Sequence, residues 1–138
     1  MIDPLDLTGA VQTAVFAALS PVDGMPPVVS EVPIGEDDQP TYPIVLLGDD
    51  QVTEVGGKGS RLEQHDLAIH VVLQGATKKT ARTLQELVRA ALHDQPLPDQ
   101  AGVLIDPLKF QNGNLVLLED GTTYVGTQNF KTFAQPAG

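Results

Sequence analysis

The chain has no cysteine, no tryptophan, only two tyrosines and four phenylalanines, and no basic residue before Lys58. Each absence removes a class of chemistry. Without Cys there are no disulfides, no thiolate nucleophile and no Cys-ligated zinc, and the redox compartment leaves no mark on the sequence. With aromatics at 4%, there is little surface on which bases or sugars could stack, and the interior has to be built from Val, Leu, Ile and Ala. No segment joins a basic start, an apolar stretch and a small-residue cleavage site, and no apolar run approaches the roughly 20 residues that cross a bilayer. The sequence therefore predicts a soluble protein made in the cytosol.

What is present bounds the answer further. A chain of 138 residues is expected to form one domain around one core. The net charge of −10 is unevenly placed: the first 57 residues hold ten acids and no base, whereas the remainder balances eight acids against eight bases. Phosphate binding needs clustered Lys and Arg, so this asymmetry argues against affinity for DNA. It is compatible with a surface past which DNA slides without sticking, and equally with an acidic face kept for solubility.

Local signals give an α+β order. Asp3-Pro4 is a good helix start, with Asp as cap and proline's fixed φ at the first position. Leu7, Val11, Ala14, Val15 and Ala18 make one apolar stripe, predicting a helix to about Leu19. Residues 21–43 carry six prolines, which allows only a short strand at 28–32, at a sheet edge. A long hairpin follows: Ile44–Leu47 extended by Gln51–Val55, a tip at Gly56-Gly57-Lys58-Gly59, and a return over Arg61–Gln74. On the return arm His65, Leu67, Ile69, Val71 and Leu73 share one face, opposite Gln64, Asp66, Ala68, His70 and Val72. Arms of about 13 residues at roughly 3.3 Å each reach about 43 Å. A compact domain of this length is only about 37 Å across, so the hairpin is expected to bend or to project toward a neighbour, unless the glycine tip is simply a loose loop.

Thr77–Leu92 reads as an amphipathic helix, with Ala81, Leu84, Leu87, Val88, Ala91 and Leu92 in one sector and Lys78, Lys79, Arg82, Glu86 and Arg89 in the other. Two lysines in its first turn oppose the helix dipole, at about a few tenths of a kcal/mol each. The stripe either faces the acidic part of an adjacent subunit or is plainly solvated. Beyond a proline-bearing connection at 94–100, Val103–Ile105 and Leu108–Phe110 suggest a strand interrupted at Asp106-Pro107. Leu115–Leu118 then pair with Thr122–Phe133 through Asp120-Gly121. The tail from Ala134 is expected to be loose. The fold class is therefore α+β, a mainly antiparallel sheet packed against two helices, with a long projecting hairpin.

Catalytic and metal-binding patterns are sparse. His65 and His70 are five residues apart on a predicted strand, which puts them on opposite faces, where they cannot chelate one ion. His93-Asp94 sits at a helix end, where a partly protonated imidazole stabilises the last carbonyls. Glu36-Asp37-Asp38 and Asp49-Asp50 offer oxygen ligands but lack EF-hand spacing. Gly56-Gly57-Lys58-Gly59-Ser60 lacks Walker spacing, and no Ser lies in a nucleophile elbow. No cofactor, metal or catalytic residue is expected, and an enzyme of unknown type would need a pocket these residues do not suggest.

The order of short motifs nevertheless resembles a known family. The Asp3-Pro4 helix ending in Ala17-Ala18-Leu19, the run from Tyr42 to Asp49, Leu67-Ala68-Ile69-His70-Val71, the run from Leu87 to Asp94, and Glu119-Asp120-Gly121 before a final strand look like the small tail-completion or tail-terminator proteins of long-tailed phages and gene transfer agents. The resemblance covers nearly the whole chain and lies in order and spacing. It implies a subunit that assembles into a ring, commonly a hexamer, which caps the tail tube and offers the surface on which the head connector or stopper docks. It also implies a virion location in the tail or neck, assembly in the host cytoplasm, and an acidic lumen through which DNA passes without specific binding. Glu36, Asp37, Asp38, Asp49 and Asp50 are the lumen candidates. For contacts with other subunits or the tube, the candidates are Glu54, Lys58 and Arg61 near the hairpin tip and Lys78, Lys79, Arg82 and Arg89 on the helix. Another head-tail adaptor or a minor tail subunit would share the same size and acidity.

Overall fold

The computed structural model describes residues 6–31, 42–57 and 61–137. Its first element begins with a cap: the Asp6 carboxylate accepts a hydrogen bond from the Gly9 amide at 2.8 Å and opens helix α1, Leu7–Leu19. The cap is thus Asp6, while Asp3-Pro4 lies outside the described residues. Leu7, Val11, Ala14, Val15 and Leu19 are buried along one side, and the helix faces the core with that stripe.

A sheet supplies the other wall of the core. Strand β1, Val28–Val29, lies at its edge and runs parallel to β2, Ile44–Glu54, pairing Val28 with Val45 and Val29 with Leu46. β2 turns back into β3, Glu63–Gln74, as the hairpin reading anticipated. On β3 the residues His65, Leu67, Ile69, Val71 and Leu73 are all buried, so the alternation seen in the sequence does mark the core face.

The hairpin does not stand off as a free arm. Its return strand is paired on the far side as well, with β6, Thr123–Pro136, from Glu63↔Ala134 to Gln74↔Thr123. The excess length is taken up by bending: the register of β2 against β3 shifts between Leu47 and Asp50. Such a bulge bends a strand and re-aims the side chains beyond it. Before it, odd residues of β2 face the core, as with Val45 opposite Val71; after it, Asp50 lies opposite Leu67 and Val52 opposite His65.

Helix α2, Lys78–Leu92, is capped by Thr77, whose hydroxyl accepts from the Thr80 amide at 3.1 Å. Its buried residues Ala81, Leu84, Val88 and Leu92 belong to the sector the periodicity picked out. The His93 imidazole does not serve the helix end in the way expected. Its Nδ1 accepts the Phe110 amide at 3.0 Å, so that nitrogen is unprotonated and pins the next strand, while the backbone amide of His93 closes the helix on Arg89.

Two strands share the outer edge of β6. β4, Val103–Ile105, pairs with residues 134–136, and β5, Lys109–Leu117, pairs along 124–131. The tail is therefore not loose: Ala134 is fully buried, and the Ala137 amide reaches the Gly102 carbonyl at 2.9 Å. The polar run Gln111-Asn112-Gly113-Asn114, poor in strand formers, is also strand, because pairing with β6 overrides its weak propensity. The turn after it is held by Asp120, whose carboxylate accepts from the Thr122 and Thr123 amides and from the Thr123 hydroxyl at 2.6 Å. Those bonds, the hydroxyl first, hold its pKa below the usual carboxylate value.

Both helices pack on one face of the sheet in a single buried cluster around Phe130, whose ring meets Phe110 edge-on at 5.7 Å. The described structure is thus α+β, two helices against a mostly antiparallel six-stranded sheet.

Two glycines separate tight packing from tolerant packing. A Cβ on Gly48 would stand 2.9 Å from the Ala68 carbonyl and 2.5 Å from the His70 ring, whereas the atoms nearest to one on Gly126 all belong to the flexible Gln85 side chain. Gly48→Ala is expected to destabilise the fold by about 1–3 kcal/mol. Gly126→Ala should cost about 1 kcal/mol or less, through the lost Gln85 hydrogen bond. Urea denaturation of the two variants measures the difference, and equal losses would contradict this account of the bulge.

Candidate functional site

The search for chemistry starts with the charged groups nearest the core. The bulge after Leu47 turns Asp50 inward, where its oxygens lie 3.3 and 3.4 Å from Nδ1 of His65. His65 is fully buried and the Asp50 side chain is 4% exposed. On the other side of the ring, Nε2 is 3.3 Å from Glu63 Oε1, and the second Glu63 oxygen takes the Arg61 guanidinium at 3.3 Å. The result is a row of alternating charge, Asp50, His65, Glu63 and Arg61, joining the inside of the sheet to the hairpin tip.

This placement corrects the lumen reading for Asp50. A carboxylate spent on a buried imidazole is not a free surface charge, and the bulge is the physical reason. Asp49 is exposed, while Glu36, Asp37 and Asp38 lie outside the described residues. The tip candidates also divide: Glu54 is exposed and accepts the Gly56 amide, Arg61 is occupied by Glu63, and Lys58 is outside the described residues. His70 sits on the opposite face of β3, bonded through Nδ1 to the Thr127 hydroxyl at 2.9 Å. Among the described residues no group of three or more His, Asp or Glu side chains is arranged to hold a metal ion.

The helix candidates stay together. Lys78, Lys79, Arg82 and Arg89 are all exposed on α2, and none makes an ion pair with any described residue. Arg89 lies over the Phe110 ring, 4.0 Å from its centroid. Between this helix and β5 runs an open groove of about 270 Å³, lined by Arg82, Arg89, Phe110, Asn114, Leu115 and Gln128. Gln85 bridges it by donating to the Asn114 carbonyl at 2.8 Å. At its floor Gln128 is 4% exposed, and its Oε1 has no hydrogen-bond partner among the described residues.

The sequence alone did not point to this groove. Its walls come from three separate elements of the chain, α2, β5 and β6. The only available signals were Gly113 and Gly126, since glycine inside a strand often marks a close approach. Both do so here: Gly126 lies beneath Gln85, and Gly113 lies against the Thr127 carbonyl and Phe110.

The buried histidine carries a pH prediction. Burial is the largest single influence on His65 and pulls its pKa down, but the hydrogen bond and charge of Asp50, with Glu63, outweigh it and raise the value above 6.5. A pKa raised by folding contributes stability that is complete below the unfolded value and is lost as pH climbs through the folded one. The protein should therefore lose stability as pH rises above the ordinary histidine value of 6.5 and through the raised folded-state one. Asp50→Asn should remove about 1–3 kcal/mol at slightly acid pH, by leaving the ring short of its partner, and should flatten the pH dependence. Denaturation series for both proteins across that window provide the check; parallel curves would refute the pairing.

Comparison with known proteins places this arrangement. The chain matches the family described as Tail completion protein gp17 over residues 13–135. A chain from a solved structure titled "Virion of native gene transfer agent (GTA) particle" shares its fold, with a TM-score of 0.82 at 23% identity over 96% of this chain and 99% of that one. No curated protein sequence matches closely enough to count as a relative. The family match covers the second half of α1, all of α2 and every strand but the last residue of β6, and the protein belongs to the tail completion protein gp17 family.

Proposed function

We propose that this protein is a structural, non-enzymatic virion component that completes the tail of a phage-like particle. In this reading residues 1–138 act as one domain. Copies close into a ring, a hexamer, on the head-proximal end of the tail tube, and the ring presents the surface to which the head connector or stopper attaches. The chain is made in the host cytoplasm and ends in the tail or neck. DNA passes through the ring without specific binding.

The observation that carries this reading is the family match over residues 13–135. The charge layout supports it physically. A net charge of −10, with no base in the first 57 residues, repels a passing polyanion instead of holding it. Glu36, Asp37, Asp38 and Asp49 are the residues assigned to the lumen. Glu54 and Lys58 at the tip, with Arg61 through its hold on Glu63, are assigned to contacts with the tube. Lys78 and Lys79 suit a contact as well, since two uncompensated lysines in a first turn gain from an anionic neighbour.

Electron microscopy of tail tubes incubated with the purified protein tests the reading. Density with ring symmetry is expected at one tube end only; binding along the tube or at the distal tip would overturn it. Lys78→Glu/Lys79→Glu should slow capping by about tenfold at low salt and much less at high salt, because such charges act mainly on the rate of encounter. Capping that is unchanged at both salt concentrations would remove these lysines from the contact.

A further inference from the structure

Resting on the ring reading, we propose that the groove between α2 and β5 is the seat of a second copy of this chain, which docks there with its α1–β1 flank. Four independent features of the structure meet at this place.

The first is charge. Arg82 and Arg89 line the groove and have no acidic partner among the described residues. The exposed acids Glu31, at the end of β1, and Asp49, on the adjoining β2, come from the part of the chain that contains no base at all. Complementary charge on separate parts of one chain, unmatched within the monomer, is satisfied when one copy meets another.

The second is the orphaned amide. Gln128 is almost completely buried, its Oε1 lacks a partner among the described residues, and it lines this groove. Native structures leave few such atoms unsatisfied. An incoming backbone N–H or hydroxyl completes it, as does an incoming carbonyl if the amide is turned the other way. The groove therefore suits a polypeptide carrying both a carboxylate and hydrogen-bonding groups, and does not suit a bare ion.

The third is the unprotected edge. β5 lies at the rim of the sheet and over Lys109–Leu117 has one charge and no proline. Val116, Leu117 and the adjoining Leu118 are 48%, 48% and 42% exposed. Sheet edges in soluble proteins are normally blunted by charge, proline or a covering segment, and this one has neither charge nor proline along its apolar end. The opposite flank has its own exposed apolar residue, Phe16, beside Val28 and Glu31 on a second groove.

The fourth is topology. β1 stands at one edge of the sheet and β5 at the other. A ring needs two different, mutually complementary surfaces on opposite flanks, so that each copy offers one and receives the other. The acidic, Phe16-bearing flank and the basic, Leu117-bearing flank meet that requirement.

The test uses full-length protein and purified tail tubes, with capping followed by light scattering and microscopy. Arg82→Glu/Arg89→Glu, and separately Glu31→Lys/Asp49→Lys, should each lower capping by about tenfold or more. The four changes in one chain should restore it to within about threefold of the starting protein, because every interface then carries reversed charges on both sides. Arg82→Glu alone keeps the Arg89 stack on Phe110 and guards against a folding defect, which thermal melting of each variant detects directly. A photo-crosslinking residue at Gln111 should join the residue 16–49 region of another copy. Crosslinks to the tube or connector protein, or failure of the fourfold variant to recover while rings still form, would overturn the seat and leave the ring intact. Absence of rings on tubes with the unaltered protein would overturn the ring reading itself.

Discussion

The twelve-residue pairing of β3 with β6 is the constraint on which the remaining structure depends. It joins residues 63–74 to residues 123–134, so its closure entropy is offset only as the intervening α2, β4 and β5 are put in place. Along its core face Leu67 sits opposite Phe130, Ile69 opposite Gln128 and Val71 opposite Gly126. The first of these pairs anchors the apolar cluster, and the last two sit beneath α2. With only 4% aromatic residues to draw on, the core concentrates its ring contacts at Phe130 and Phe110, and aliphatic side chains from α1 and α2 fill the rest. Everything else is attached to this pair: β2 and β1 on one edge, β4 and β5 on the other.

That attachment explains which parts of the fold were legible in the sequence. α2 was, because its apolar and charged residues are segregated at helical spacing and nothing in the packing contradicts it. β3 was, because strict alternation survives only where one face is buried and the register cannot slip. The start of β4 and the Asp120-Gly121 turn were legible for local reasons. The middle of β5 and the end of β6 were not. Gln111 to Asn114 and Ala134 to Pro136 have little strand propensity of their own, and each becomes strand only because a partner far away in sequence offers a ladder to complete.

The candidate site was legible to a lesser degree, for a related reason. That Lys78, Lys79, Arg82 and Arg89 share one exposed helix face follows from periodicity alone. That Asp50 faces inward does not, because it depends on one extra residue in β2 between Leu47 and Asp50, which reverses the parity of everything after it. Gly48 makes the reversal possible, since any side chain there would collide with His70 and the Ala68 carbonyl. Reading Asp49 and Asp50 as a like pair missed that a bulge divides neighbours: one carboxylate is left in solvent, the other is placed against a buried imidazole. The α2–β5 groove escaped entirely, because Gln128 reads as an ordinary outward polar residue until its partner strand is known.

The distribution of charge acts over two ranges, and they oppose each other. At separations larger than the spacing between individual charges, two copies sense mainly each other's net charge, which at −10 is repulsive and is weakened by salt beyond roughly 8 Å. In the proposed ring, contact between the exposed cations of α2 and the acids of another copy reverses the balance. Subunits of this kind gain little from meeting at random in dilute solution and much from meeting when already oriented side by side. A surface that holds several copies in register, as the end of a tube does, raises their effective concentration and removes the orientational part of the association cost. If the proposed ring forms, the net charge that opposes association of free chains favours closure on a template over closure in solution.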